Sequence, residues 1–245
     1  MLGMTTTNDP GTSGVKDIAS ALGGGLKEGA LVIIEGESGT GKSVLCQHIA
    51  YGILQARQCD VAYYSTEHNA ASLTDQMAAI GLDVAREVIA DRLRVYRVGT
   101  GPVIKDGPQA LQDLINHIDN ISEDFKLVFF DSPSWFMTHT PPMIKMDFLY
   151  LCKELCDRDR TVVLVVDSHV FEEKTLARAY AVADYYLRLK NFDSILETGQ
   201  IDLRVIKRLE VAKLAGARRT DTDDIKFEIK QHVGIQLLPF VRVKV

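Results

Sequence analysis

The stretch Gly36-Glu37-Ser38-Gly39-Thr40-Gly41-Lys42-Ser43 matches the phosphate-binding P-loop pattern G-x-x-x-x-G-K-[ST] at every fixed position. Glycines let the backbone curl so that successive N–H groups point toward phosphate oxygens. In this pattern the lysine, here Lys42, reaches the β- and γ-phosphates, and the hydroxyl of Ser43 binds Mg²⁺. Residues 36–43 are therefore predicted to hold a nucleotide and its magnesium ion.

The segments on either side of the loop have the secondary structure that a P-loop requires. Residues 30–34 are apolar on both faces, which is typical of a central parallel strand. Leu45, Ile49 and Ile53 recur with helical spacing, so a helix is predicted from Lys42 to about residue 56. This strand–loop–helix context favours a true P-loop over a chance glycine-rich turn.

Strands and helices continue to alternate downstream, which predicts parallel βαβ units. The predicted strands are residues 61–66, 93–98, 127–130 and 161–166. The predicted helices are marked by Leu73, Met77 and Ile80, by Leu111, Leu114, Ile115 and Ile118, and by Phe148, Cys152, Leu155 and Cys156. The expected fold class is α/β, a RecA-like P-loop core with a mainly parallel central sheet flanked by helices.

The pattern changes after residue 184. Residues 185–189, 200–213, 225–230 and 234–241 are predicted strands with short connections, which indicates a C-terminal antiparallel β extension of the same sheet. No long linker and no internal repeat separates this extension from the core. We therefore predict a flexible N-terminus over residues 1–14 and one domain over residues 15–245, beginning with a short helix up to Leu22.

Charge and composition narrow the function classes. The 28 Lys and Arg against 33 Asp and Glu give a net charge of −5, which argues against binding mainly through a nucleic-acid backbone. Two basic clusters, Lys207-Arg208 and Arg218-Arg219, are interpreted as solvated surface. The four cysteines form no Cys-x-x-Cys pair, so free thiols in a reducing compartment are expected, with Cys152 and Cys156 packed in the core.

No apolar run is long enough to span a bilayer, which takes about 18 residues. The first ten residues lack the charged and apolar regions of a signal peptide. A cytoplasmic protein is therefore expected, reaching the inner face of a membrane only through partners.

Three acidic residues are candidates for the chemistry around the phosphates. Asp131 and Asp167 each end an apolar strand, where ligands of a doubly wound sheet bind, and Asp131 is favoured as the residue that holds Mg²⁺. Glu67 follows another strand and could polarise an attacking water, or could simply favour the start of a helix. His169 could sense the γ-phosphate, or be an ordinary loop histidine.

Several segments resemble KaiC-like ATPases of the RecA superfamily. These are the entry segment of residues 22–36, the glutamate segment Tyr64-Ser65-Thr66-Glu67, the sensor segment Asp167-Ser168-His169, and the ending of residues 227–239. The resemblance extends over nearly the whole chain, from about residue 12 to residue 245, and a single short domain is most similar to the archaellum (archaeal flagellum) accessory ATP-binding family, FlaH or ArlH.

The resemblance implies ATP and Mg²⁺ as ligands and homo-oligomeric ring formation, as in a hexamer. It also implies contact with the archaellum motor ATPase and, through that enzyme, with the membrane platform protein. KaiC-like rings carry Lys-x-Arg-Gly late in the chain, where both cations reach the neighbour's γ-phosphate. Here Lys213-Leu214-Ala215-Gly216 keeps the lysine but has Ala215 for the arginine, and Arg218 or Arg219 could substitute.

Three functions are compatible with these features. The leading hypothesis is an ATP-binding switch with slow or absent hydrolysis, because a missing trans arginine removes stabilisation of the transition state. The second is an actively hydrolysing KaiC-type signalling or clock ATPase, which the intact Glu67 favours. The third is a RecA/RadA-like DNA recombinase, which the net charge of −5 disfavours.

Overall fold

The computed structural model describes residues 2–3, 18–19, 22, 25–99, 107–138, 140–192, 205–214 and 224–238. The strands in this part of the chain are β1 (Leu2–Gly3), β2 (Gly25–Leu26), β3 (Leu31–Gly36), β4 (Val61–Ser65), β5 (Leu93–Arg97), β6 (Leu127–Asp131), β7 (Thr161–Asp167), β8 (Tyr185–Phe192), β9 (Ile206–Lys213), β10 (Asp224–Lys230) and β11 (Gly234–Leu237). The helices are α1 (Lys42–Gln55), α2 (Ala70–Ala79), α3 (Ala85–Ile89), α4 (Gly107–Asp119), α5 (Ser134–Thr138), α6 (Pro142–Asp157) and α7 (Glu173–Val182).

A nine-stranded sheet organises the fold, in the order β11-β10-β9-β8-β3-β7-β6-β4-β5. Neighbours from β8 to β5 run parallel, and β9, β10 and β11 extend the other side in antiparallel fashion. The predicted α/β class with a C-terminal antiparallel extension is confirmed. One detail differs: β8, which we assigned to the antiparallel part, pairs in parallel with β3, because α7 returns the chain to the start of the sheet.

Alternate residues of the central strands enter two separate hydrophobic clusters. Val32 and Ile34 of β3 pack on the face covered by α1 and α2, whereas Leu31 and Ile33 pack on the face covered by α4 and α6. A strand buried on both faces has no polar alternation, which is why residues 30–34 are continuously apolar. All four cysteines are buried free thiols, as expected, and Cys152 and Cys156 belong to the second cluster.

Three helices have no counterpart in the sequence-based prediction. Helices α3 and α5 have five residues each, too short to show a helical period. Helix α7 buries only Thr175 and Ala179, which are small or polar, so no apolar stripe marks it. Residues 200–204 and 239–241, which we expected in strands, lie outside the described residues.

The N-terminal predictions are covered only in part. Leu2–Gly3 pairs in antiparallel fashion with Gly25–Leu26, and the Leu22 N–H donates a hydrogen bond of 3.0 Å to the Ile18 carbonyl, as a helical turn requires. The rest of residues 1–24 lies outside the described part, so the flexible N-terminus and the single domain over residues 15–245 stay predictions.

A buried histidine joins the P-loop helix to the last strand of the sheet. His48 of α1 accepts a hydrogen bond of 2.9 Å from the Ile235 N–H at its Nε2. A Cβ at Gly234 would lie 2.3 Å from that nitrogen, so the close approach needs glycine there, and its φ of 74° also favours glycine. Burial lowers the pKa of His48 to about 4.

We predict that His48 makes the protein lose stability in mild acid. The pKa is lowered in the folded state, so stability is complete above the unfolded value near 6.5 and falls as the pH drops toward 4, by roughly 3 kcal/mol in all. Chemical denaturation at pH 7.5 and pH 4.5, comparing the wild type with His48→Gln, measures the effect.

The His48→Gln protein is expected to be less stable at pH 7.5 but to lose less stability between the two pH values. The exposed His169→Gln is the control and keeps the wild-type dependence. An equal loss in the wild type and His48→Gln contradicts the assignment.

Candidate functional site

Residues 36–43 form the predicted loop between a strand and a helix. Strand β3 ends at Gly36 and α1 begins at Lys42, after Gly41, whose φ is 96°. Gly36 is tightly packed, since a Cβ there would lie 2.6 Å from the Leu189 carbonyl oxygen and 2.7 Å from Thr40 Oγ1. The loop therefore needs glycine both for its curl and for its fit against β8.

The lysine of the loop lies under its own backbone. The Lys42 Nζ donates hydrogen bonds to the carbonyls of Gly36 (2.8 Å) and Glu37 (2.9 Å) and to the Asp167 carboxylate (2.8 Å). The side chain is only 8% exposed. This ammonium is the positive charge that a P-loop offers to phosphate oxygens, and α1 adds the partial charge of its N-terminus.

Ser43 and Asp131 meet as the sequence predicts for a magnesium site. The Ser43 hydroxyl donates a hydrogen bond of 2.9 Å to Asp131 Oδ1, and the Tyr63 hydroxyl donates one of 2.6 Å to Oδ2. Burial raises the pKa of Asp131, while these two hydrogen bonds act to lower it. Hydroxyl and carboxylate oxygens suit Mg²⁺, which takes its other ligands from water and phosphates. The residues present therefore fit the ion.

A cavity of about 430 Å³ collects the candidate residues at the carboxyl ends of the parallel strands. Glu67 lies at its edge with 79% of its side chain exposed, and the Ser65 hydroxyl accepts the N–H groups of Glu67 and His68. His169 is exposed in the turn after β7 and does not line the cavity. The lining residues are Ser38, Gly39, Gly41, Lys42, Ser43, Val44, Thr66, Glu67, Asp131, Ser132, Ser134, Asp167 and Ile229.

A larger cavity, about 840 Å³, lies at the amino ends of the strands. Its central cation, Arg92, is paired with Asp60 and Glu87 and also bonds the Leu54 carbonyl. Because these charges neutralise one another, the cavity at the P-loop remains the better candidate for a phosphate site.

Comparison with known families settles the class of protein. The family model described as "ATPase: KaiC" matches residues 11–241 of this chain. The chain belongs to the KaiC family of ATPases. The matched region contains the P-loop, Glu67, Asp131 and Lys213, so these residues can be considered within a KaiC-family domain.

Two relatives of this KaiC-family chain carry the name archaeal flagellar ATP-binding protein FlaH. The one from Methanocaldococcus jannaschii is 28% identical over 223 residues, which cover 89% of this chain and 91% of that protein. The one from Sulfolobus acidocaldarius is 25% identical over 231 residues, which cover 93% and 96% respectively. The resemblance to KaiC-like ATPases and, among them, to FlaH is thus confirmed.

Solved structures confirm the RecA-like fold. The flagellar accessory protein FlaH of M. jannaschii has a TM-score of 0.76 at 23% identity, covering 97% of this chain and 98% of its own. A KaiC-like protein of Pyrococcus horikoshii has a TM-score of 0.71 at 16% identity, covering 93% and 97%. Within the described residues, no helix is both long enough and apolar enough to cross a bilayer.

Lys213, predicted to be the lysine of a Lys-x-Arg-Gly segment, lies at the end of β9. Its Nζ donates hydrogen bonds of 2.9 Å to the carbonyls of Tyr180 and Ala181 in the last turn of α7. It does not line the cavity of its own chain. Ala215, Gly216, Arg218 and Arg219 lie outside the described residues, so a trans contribution from this segment stays a prediction.

A second lysine at the KaiC-family P-loop was missed by the sequence analysis. We expected Lys207-Arg208 to be solvated, but Lys207 is buried, and its Nζ bonds the Gly39 carbonyl and, at 3.2 Å, Asn191 Oδ1. Burial lowers the pKa of Lys207. Arg208 fits the expectation in part. Its side chain is half-exposed, but it is paired with Asp224. The alternation of side chains along β9 directs Lys207 inward, but nothing in the local sequence indicates that Lys207 faces Gly39.

We predict that Lys207→Met loosens the P-loop and weakens Mg·ATP binding by about tenfold. The substitution keeps the apolar stem but leaves the Gly39 carbonyl without its charged donor, and hydrogen bonds to charged groups contribute about 1.5–3 kcal/mol. Titration calorimetry measures the change. The neighbouring Arg208→Met, which breaks only the pair with Asp224, is the control and binds normally. Equal affinities for both variants would rule out a role of Lys207 in holding the loop.

Proposed function

We propose that this chain is an ATP-binding regulatory component of an archaellum motor. In this proposal nucleotide binding switches the chain between states that differ in their affinity for the motor ATPase, with slow or absent hydrolysis. The observation that carries it is the curled P-loop, with Lys42 beneath it and Ser43 bonded to Asp131. The names of the two FlaH relatives supply the archaellum context.

The residues of the P-loop hold the nucleotide in this proposal. The N–H groups of residues 36–43 and the Lys42 ammonium bind the phosphates, and Ser43 and Asp131 hold Mg²⁺, which neutralises phosphate charge when bound. Loops that contact the phosphates can then adopt different conformations in the nucleotide-free and nucleotide-bound states. Only a difference in affinity between those states can drive the switch.

Slow hydrolysis follows from what surrounds Glu67 and from the sequence near residue 215. Glu67 is highly exposed, and His68 Nε2 lies 3.9 Å from its carboxylate, so it is poorly fixed for activating a water. Lys213 bonds carbonyls of its own α7, and Ala215 stands where KaiC-like rings have a trans arginine. Without that cation to stabilise the transition state, hydrolysis is slower by several orders of magnitude.

The proposed partners are further copies of the chain and the archaellum motor. A ring, with a hexamer as the expected form, would bring Lys213 of one copy toward the nucleotide of the next. The ring would contact the motor ATPase and, through it, the membrane platform protein at the cytoplasmic face. ATP, rather than another nucleotide, is the proposed ligand because the relatives are named ATP-binding proteins.

An actively hydrolysing KaiC-type signalling ATPase is the second candidate. Glu67 favours it, because this carboxylate lines the same cavity as Lys42 and Asp131. A RecA/RadA-like recombinase has less support, since the net charge is −5 and Lys207, one of the basic residues in question, is buried against the P-loop.

We predict that Lys42→Ala abolishes ATP binding and weakens capture of archaellum motor proteins from lysate of the native host. The substitution removes the ammonium that reaches the phosphates. Tagged protein is incubated with lysate with and without Mg·ATP, and captured proteins are identified by mass spectrometry. The exposed Lys174→Ala is the matched control and captures the same proteins as the wild type. Normal ATP affinity and normal capture by Lys42→Ala would refute the switch.

We predict steady-state phosphate release well below about 1 s⁻¹, a low value for a working enzyme. The assay uses purified wild-type protein with saturating Mg·ATP, and Glu67→Gln shows whether any residual rate depends on this carboxylate. The variant is expected to bind ATP normally, because Glu67 makes no contact with Lys42 or Asp131 in the described structure. Turnover above that rate, lost in Glu67→Gln, would favour the signalling ATPase instead.

A further inference from the structure

Asp167 lies beside the P-loop because of the register of the central sheet. Strands β3 and β7 are parallel neighbours, and Gly36, the first residue of the loop, is paired with Asp167, the last residue of β7. Both strands therefore end at the same level of the sheet. The P-loop and the Asp167 carboxylate must share the space above this edge.

The carboxylate of Asp167 is bound to the lysine that a nucleotide needs. Lys42 Nζ and Asp167 Oδ1 are 2.8 Å apart, and the other two N–H groups of this ammonium are donated to Gly36 and Glu37 carbonyls. An ammonium has three donors, so all of them are used. Asp167 is 44% exposed toward the cavity, whereas Lys42 is nearly buried. A phosphate that binds Lys42 must therefore displace one of these three acceptors.

Asp167 is held in place by contacts on both sides of the turn that it begins. Its N–H donates a hydrogen bond of 2.9 Å to the Ser134 hydroxyl, which is bonded to the Ser132 hydroxyl at 2.7 Å. Its carbonyl accepts the Val170 N–H, and the buried Lys145 ammonium holds the Val170 carbonyl at 2.7 Å. The backbone of Asp167 is thus fixed, so its carboxylate stays within one side chain's reach of Lys42 when the lysine changes partners.

The charge of Asp167 opposes each added phosphate. The cavity is also lined by Glu67 and Asp131, so three carboxylates surround the place that receives the phosphate chain. Bound Mg²⁺ can neutralise the charge of Asp131. The charge of Asp167 is paired instead with the Lys42 ammonium. A diphosphate leaves one lysine donor free for Asp167 if it displaces a carbonyl. A γ-phosphate adds a negative charge and takes a second donor, since Lys42 serves both the β- and γ-phosphates, so Asp167 and the loop carbonyls compete for the third.

We propose that Asp167 is a specificity-determining residue, which competes with the terminal phosphate for Lys42 and lowers the preference for ATP over ADP. The inference rests on the proposed nucleotide binding and deepens it. A lowered preference for ATP would make the state of the chain depend on the ratio of ATP to ADP in the cell. Two like charges a few ångströms apart repel strongly enough to change nucleotide affinity, even near the surface of a protein.

The test compares the dissociation constants of Mg·ATP and Mg·ADP in titration calorimetry. Asp167→Asn keeps the size and removes the charge, and we expect the ratio of ATP to ADP affinity to rise by about tenfold, a change consistent with a partly screened charge pair. Asp167→Ser must shift the ratio in the same direction. Asp167→Glu keeps the charge on a longer side chain, so it must raise the ratio less than Asp167→Asn does. Asp147→Asn, which removes an exposed charge on α6, is the control with a wild-type ratio.

Each outcome decides the inference. A ratio raised in both neutral variants, raised less in Asp167→Glu and unchanged in Asp147→Asn supports it. An unchanged ratio, or a selective loss of ATP affinity in Asp167→Asn, overturns it while the proposed function stands, provided that the wild type binds ATP. Absence of nucleotide binding by the wild type overturns the proposed function and this inference together.

Discussion

The Lys42 ammonium holds the P-loop in its curled form by binding the carbonyls of the loop's first two residues, Gly36 and Glu37. A buried ammonium is costly unless its donors are satisfied, so the loop and the lysine depend on each other. The same contact directs the loop's positive charge toward the cavity at the carboxyl ends of the strands. Strand pairing between β3 and β7 then brings Asp167 to that charge, and the parallel order of the sheet brings Asp131 to Ser43.

Strand β8 and the antiparallel extension beyond it support the nucleotide site as well as the edge of the sheet. Strand β8 packs its Leu189 carbonyl against Gly36, and β9 extends Lys207 to the carbonyl of Gly39. Ile229 of β10 lines the cavity, and β11 is bonded to His48 of the P-loop helix. These contacts join the loop and its helix to strands that follow 153 to 187 residues later in the chain.

Much of this arrangement was predictable from local sequence. The P-loop, its flanking elements and the pairing of Ser43 with Asp131 follow from a motif and from apolar strands that end in Asp. The parts that were missed depend on which distant residues meet. Lys207 looked like a surface charge because only the β9 register shows that it faces Gly39, and α7 buries too few apolar residues to reveal a helix. The ion pair between Lys42 and Asp167 likewise exists only because β3 and β7 are neighbours.

The central claim is that residues 36–43, with Lys42 beneath them, bind a triphosphate with its metal ion. Titration calorimetry of the purified, folded wild-type chain with Mg·ATP tests it most directly. The account predicts saturable heat with one nucleotide bound per chain, and weaker binding when EDTA removes the magnesium that Ser43 and Asp131 would hold. No heat at millimolar Mg·ATP would contradict it.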